Sequence, residues 1–165
     1  MRKIAILIAA WCTGAMALPA SAADDLGNGR RVQNTTAVHE VEVGDAAGHV
    51  VGVVEFRGLT FFASGAIATH VNSATFDLVN GSGSHEGYVV HYFDDGSTSV
   101  ERYRGAARVA GDGKRTTIEG EFECVGGTGH FEGLKGEGRY RGERLGSLAA
   151  GSYVYVDFEG HCTTP

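Results

Sequence analysis

The chain has 165 residues, 26 of them glycine and only two proline, with a formal net charge of −6 at pH 7. That length fits one domain with a real core. The acidic balance argues against nucleic acid and against anionic membrane surfaces as partners, because both repel negative charge.

Arg2 and Lys3 precede an uncharged apolar run at 4–17, and Leu18-Pro19-Ala20-Ser21-Ala22 places small residues where a signal peptidase reads them. This is the pattern of a secretory signal peptide over 1–22, cleaved after Ala22. The run falls short of the roughly 20 residues a spanning helix needs, and no later run is long enough, so the mature form is expected to have no membrane span. Trp11 is a poor neighbour for a lipid-anchored Cys12, where a small residue is needed. The protein is therefore expected to be secreted or periplasmic.

Residues 23–35 are polar, carry glycine and lack periodicity, so they read as a flexible leader or an early edge segment. A single barrel domain is expected over 36–165. Residues 36–43 (TAVHEVEV) alternate apolar and polar side chains, and 49–57 (HVVGVVEFR) is valine-rich, as in a strand buried on both faces. Residues 59–71 and 74–79 read as two further strands separated by Asn72-Ser73. The second half is more regular: 86–93 (EGYVVHYF), 98–109 (TSVERYRGAARV), 115–124 (RTTIEGEFEC), 130–141 and 151–158 (GSYVYVDF). Between them stand Asp94-Asp95-Gly96-Ser97, Gly111-Asp112-Gly113 and Gly126-Gly127-Thr128-Gly129, whose chemistry suits turns with positive φ. No window after the leader carries a sustained helical stripe.

Strands joined by short turns in one domain predict an all-β fold, a closed antiparallel eight-stranded barrel preceded by a signal peptide. Closure removes the exposed edges of a meander. Gly52, Gly87, Gly105, Gly120, Gly136 and Gly138 fall inside strand-like runs, where glycine is expected to bend a strand or hold a bulge. Phe131 and Leu134 have opposite parity, and a bulge near Gly133 would turn both inward. Cleavage leaves Cys124 and Cys162, which an oxidising compartment would join in a disulfide. A metal site or a catalytic thiol is the alternative, but there is no C-x-x-C and no histidine pair at zinc spacing beside either cysteine.

The run VGGTGHFEGLKGEG at 125–138 invites a phosphate-loop reading. That reading needs a lysine followed by Ser or Thr at the opening of a helix, whereas Lys135 is followed by Gly136 and strand-like residues. No cofactor is expected. The same residues resemble the barrel shared by allene oxide cyclases and dirigent proteins. The matching positions are Gly126, Gly127, Thr128, Gly129, Phe131, Gly133 and Gly136, inside a looser match from about Tyr88 to Tyr140. The resemblance implies an eight-stranded antiparallel barrel with a cavity, often in a dimer or trimer, and hence a possible homo-oligomer. Allene oxide cyclases use a glutamate and a bound water near the start of the barrel, and no local motif here assigns a particular glutamate to that role. Lys135 stands where dirigent proteins often carry arginine; it keeps the charge and loses the planar fork.

Parity supplies the candidate site. Glu101 and Tyr103 share a face with Gly105, Ala107 and Val109, and this smaller, more apolar face is expected to point into or toward the mouth of a lumen. Two parity sets compete on 86–93, one with His85, Val89 and His91 and the other with Tyr88 and Tyr92. On the last strand Tyr153 and Tyr155 share a face with Asp157. Tyr103, Tyr153, Tyr155 and Phe131 are thus candidates to line a ligand, and Glu101 is the candidate for acid–base work. The seven histidines do not make a metal site: His85 and His91 share a face but sit about 20 Å apart along an extended strand. No Gly-x-Ser-x-Gly is present. The leading expectation is an exported barrel that binds a small hydrophobic molecule without transforming it. The alternatives are a cofactor-free cyclase or isomerase that steers a reactive intermediate, and a structural barrel with a filled lumen.

Overall fold

A computed structural model of the chain describes residues 25–111, 113–148 and 151–165. The signal peptide expected at 1–22, and Asp112 of the turn expected at 111–113, lie outside the described residues. Eight strands follow in order: β1 (Gly29–Glu42), β2 (His49–Phe62), β3 (Ile67–Val79), β4 (Ser82–Tyr92), β5 (Thr98–Val109), β6 (Arg115–Thr128), β7 (Lys135–Leu145) and β8 (Tyr153–Thr163). Each pairs antiparallel with the next, and β8 returns to pair with β1 from Gly29↔Phe158 to Asn34↔Tyr153. The expected closed eight-stranded antiparallel barrel is the observed fold.

Several boundaries differ from the sequence reading, each for a local reason. β1 starts at Gly29, so residues 29–35 belong to the barrel wall and not to a leader. The run at 59–71 is not one strand. Phe62 N–H donates to Ala66 C=O at 2.9 Å around Gly65 at φ 93°, a tight turn hidden in an apolar stretch. Asn72 and Ser73 lie within β3, not between strands. Asn80 and Gly81, both at positive φ, turn β3 into β4, the favoured geometry of a two-residue hairpin. In the glycine-rich run, Gly126, Gly127 and Thr128 are still β6 and pair with Val100, Ser99 and Thr98. Only Gly129 begins the turn, a three-residue 3₁₀ element at Gly129–Phe131. Phe131 and Leu134 are both buried, as expected, but this turn and Gly133 at φ 76° bring them inward in place of a bulge. The register shifts instead at Thr35/Ala37 in β1 and opposite Val100/Glu101, where Val125 is the extra residue.

One end of the barrel is plugged. Leu26, Phe62, Phe122, Phe131, Leu134 and Phe158 pack there, with Phe62–Phe158 and Phe122–Phe158 edge to face. Asp25 clamps the segment before β1 to β8 by accepting from the N–H groups of Gly27 (2.8 Å) and Cys162 (3.0 Å). Cys124 and Cys162 form a disulfide across this end. Both pair with Gly136, so the bridge joins β6 to β8 over the inner face of β7. Their Cα atoms are 6.1 Å apart, against about 9.6 Å for next-nearest strands of a flat sheet. The sheet curls hard here, and Gly136 leaves the inner face of β7 bare beneath the bridge. Deeper in the lumen glycine makes room for rings: Phe122 lies where a Cβ on Gly138 would stand.

The outer face of β5 and β6 carries a cross-strand charge ladder: Arg102–Glu123 at 2.9 Å, Arg104–Glu121 at 3.6 Å and Arg108–Glu119 at 2.5 Å. These exposed pairs contribute little stability, but they make this wall a water-facing one.

Candidate functional site

Above the aromatic plug the lumen turns polar. Alternation in β1 sends Arg31 and Gln33 inward, β2 adds Thr60, β3 adds His70 and Asn72, β4 adds His91, and β5 adds Ser99, Glu101 and Tyr103. Arg31 is 4% exposed and Glu101 1%. Arg31 Nη1 lies 2.9 Å from Glu101 Oε2, and the guanidinium carbon sits 5.0 Å from the centroid of the Phe158 ring. The ion pair is oblique: neither Glu101 oxygen nor Arg31 Nε has an aligned hydrogen-bond partner among the described residues. Burial pushes the Glu101 carboxyl up, against the opposing pull of Arg31.

A neutral network surrounds the pair. The Tyr103 hydroxyl donates to Asn72 Oδ1 at 2.7 Å, and Asn72 Nδ2 donates to Gln33 Oε1 at 3.3 Å. His70 Nε2 donates to the same Gln33 oxygen at 3.0 Å, which leaves Nδ1 to accept from Thr60 Oγ1 at 2.9 Å. Burial, helped by Arg31, holds His70 down at about 3. His91 pairs through Nδ1 with Ser99 Oγ at 3.1 Å, and its Nε2 has no partner among the described residues; burial holds it well below the usual histidine range. Burial pushes the Tyr103 phenol up to about 12. At neutral pH His70, His91 and Tyr103 are therefore uncharged.

A cavity of about 80 Å³ stands on this layer. Arg31, Gln33, Asn72 and Tyr103 form its floor, and Val54, Phe76, Leu78, Ala107, Ile118 and Val156 its apolar walls. Its far end holds His85, whose Nε2 lies 2.8 Å from the Tyr140 hydroxyl, with Arg144 and Leu148. Burial, with Arg144 second, holds His85 down at about 4. A larger concavity, about 950 Å³, lies along the outside of the wall over Glu55, Tyr88, Arg102 and Glu123. It is an open saddle in which Arg102 and Arg104 already face Glu123 and Glu121 of the next strand, so the lumen is the better site.

The structure treats the sequence candidates unevenly. Tyr103 lines the cavity. Glu101 is inside the barrel but behind Arg31 and does not line the cavity, so it is not at the mouth. Phe131 plugs the closed end against Phe93, 4.5 Å away between centroids, and does not reach the cavity. Tyr153 and Tyr155 do not line the lumen either. Tyr153 is 71% exposed, and Tyr155 lies on the outside 5.4 Å from the Arg30 guanidinium, because β8 buries Val154, Val156 and Phe158 instead. On β4 the inward set is His85, Val89 and His91, and Tyr88 and Tyr92 face out. Sequence reasoning missed Arg31, Gln33, His70, Asn72, Tyr140 and Arg144. The alternation of β3, with Ala68 and Phe76 in phase with His70 and Asn72, was the available signal for two of them. Among the described residues no cluster of His, Cys, Asp and Glu is arranged to hold a metal. Comparison with protein-family models, with curated proteins and with solved structures finds no match for this chain.

Proposed function

We propose that this is an exported barrel that binds a small, mainly apolar molecule in the open half of its lumen and releases it unchanged. The observation that carries the reading is the cavity: apolar walls over a polar floor inside an otherwise filled barrel. Apolar enclosure with a few convergent polar groups is the usual make-up of a small-molecule site. The volume limits the occupant. An apolar cavity of about 150 Å³ takes benzene, so about 80 Å³ suits a ligand of only a few heavy atoms. Export is supported by the buried Cys124–Cys162 bridge. Kinship with the allene oxide cyclase and dirigent barrels is part of the same reading, and the closed meander of eight strands is in keeping with it. A cyclase or isomerase would need a carboxylate facing an enclosed pocket, and the position of Glu101 behind Arg31 favours the binder over it.

The test uses the full chain and a panel of small molecules, among them 1-butanol and isobutanol, read by thermal shift and by amide chemical shifts. Binding is expected to raise Tm and to move the amides of β3, β5 and β8 around the cavity. Ala107→Phe, which fills the cavity from β5, is expected to abolish both effects. No response to any probe would make the protein a structural barrel with a filled lumen.

A further inference from the structure

The net charge of the chain is −6, yet the cavity has the opposite sign. Its lining holds two guanidinium groups, Arg31 in the floor and Arg144 at the far end, and no Asp or Glu among the described residues. Glu101 offsets Arg31 from behind. Among the described residues Arg144 has no such carboxylate, and its Nη2 reaches the Thr116 hydroxyl at 3.3 Å. In both arginines Nε is buried without a partner among the described residues. Buried donors of this kind are rare in folded proteins, and each one costs stability until an acceptor reaches it. Two charged donors with spare hydrogen-bonding capacity, set around one apolar space, define what would complete them: an acceptor-only anionic group joined to a short hydrocarbon.

We infer that the cavity recognises a short-chain organic carboxylate, with the carboxylate on Arg31 in the floor, the hydrocarbon against Phe76, Leu78 and Val156, and Arg144 adding positive charge from the far end. This rests on the small-molecule reading above and names its ligand class. Planar guanidinium and planar carboxylate match in shape, and such charge-assisted hydrogen bonds are stronger than neutral ones. Enclosure by apolar walls strengthens them further, since little water competes. The volume confines the hydrocarbon to a few carbons. The same walls reject a cationic head group, which would be buried beside Arg31 and Arg144 with no carboxylate to meet it.

The experiment titrates the full chain with butyrate, 1-butanol and n-butylammonium and follows amide shifts by NMR. Butyrate is expected to bind about tenfold or more tighter than butanol, the difference one charged hydrogen bond supplies, and butylammonium is expected not to bind. Arg144→Gln is expected to weaken the preference for butyrate and to leave butanol binding in place. The paired change Arg31→Met with Glu101→Leu, which removes the floor guanidinium together with the acid behind it, is expected to remove most of that preference and to leave butanol binding in place. Equal binding of butyrate and butanol would overturn the carboxylate inference and leave the small-molecule reading standing. A preference for butyrate that survives both variants would also overturn it, since the anion would then sit elsewhere. Failure of all three probes to bind would overturn the small-molecule reading itself.

Discussion

Replacing Glu101 by leucine is expected to damage the barrel, and replacing Arg31 by methionine as well is expected to repair it. In the native protein the two side chains are 5% and 1% exposed, so both charges have left water. An ion pair in such a place holds its own only if the remaining polar atoms are satisfied. Here they are not: both Glu101 oxygens and Arg31 Nε lack aligned hydrogen bonds among the described residues. Glu101→Leu strands the guanidinium against Phe158, and an unpaired buried charge costs about 3–5 kcal/mol. For a domain of this size that is a fall in Tm of roughly 10–20 °C. The double variant removes both charges and leaves two apolar side chains in the same space. Such exchanges are neutral or stabilise by about 1–4 kcal/mol. The assay is a double-mutant cycle by urea unfolding, with Tm as a second readout. A Glu101→Leu variant within about 1 kcal/mol of wild type, or a double variant less stable than both singles, would refute the reasoning.

Acid should unfold the protein over the histidine range. His70 and His85 are held down at about 3 and about 4, against 6.5 in the unfolded chain. Between those values the unfolded state binds more protons, so their contribution is intact above pH 6.5 and is lost as pH falls. At pH 5 each has given up about 2 kcal/mol, and urea midpoints from pH 7 to pH 4 should trace that loss; a flat profile above pH 5 would contradict it. The disulfide closes a loop with a sequence separation of 38, worth about 4 kcal/mol in the chain-entropy model. Cys124→Ala with Cys162→Ala should lower stability by about that amount and make it insensitive to reductant, whereas equal stability with and without reductant in the wild type would mean that the bridge contributes nothing.

Closure, strand number and the cysteine pair were legible because each rests on a local signal. Turn glycines mark strand ends, and the two cysteines outside the stretch read as a signal peptide have one way to pair. The inward face of β5 was legible because Gly105 and Ala107 travel with Glu101 and Tyr103. The site was harder for a definite reason: at the polar layer the barrel inverts its own pattern. β1 sends Arg31 and Gln33 inward and Val32 outward, and β3 sends His70 and Asn72 inward with the half-buried Val71 on the other face. A reading that assigns polar residues to water discards those positions, and it is why 29–35 looked like a leader. β8 misleads in the other direction. Its tyrosines suggested a lumen lining, but the valines take the inside and Tyr155 serves as a platform for Arg30. Finally, Arg31 and Glu101 meet across the lumen, 70 positions apart, and no spacing rule brings such a pair together.

The inverted layer also bears on why the site exists. A barrel of this size could fill its waist with leucine and valine, as it fills its plugged end with phenylalanine. Instead it keeps an oblique ion pair, an unpartnered His91 nitrogen and two arginines with idle donors, all at some loss of stability. The glycines around them point the same way. Gly138 yields its space to Phe122, so the lower lumen is packed tight, while the space above Arg31 is left open. Tight packing on one side of the polar layer and a void on the other fixes the guanidinium from below and leaves its upper edge to a ligand. If the apolar double variant proves more stable and also loses its preference for a carboxylate, stability and binding will have been separated at the same two residues, as expected of a site retained for its ligand and not for the fold.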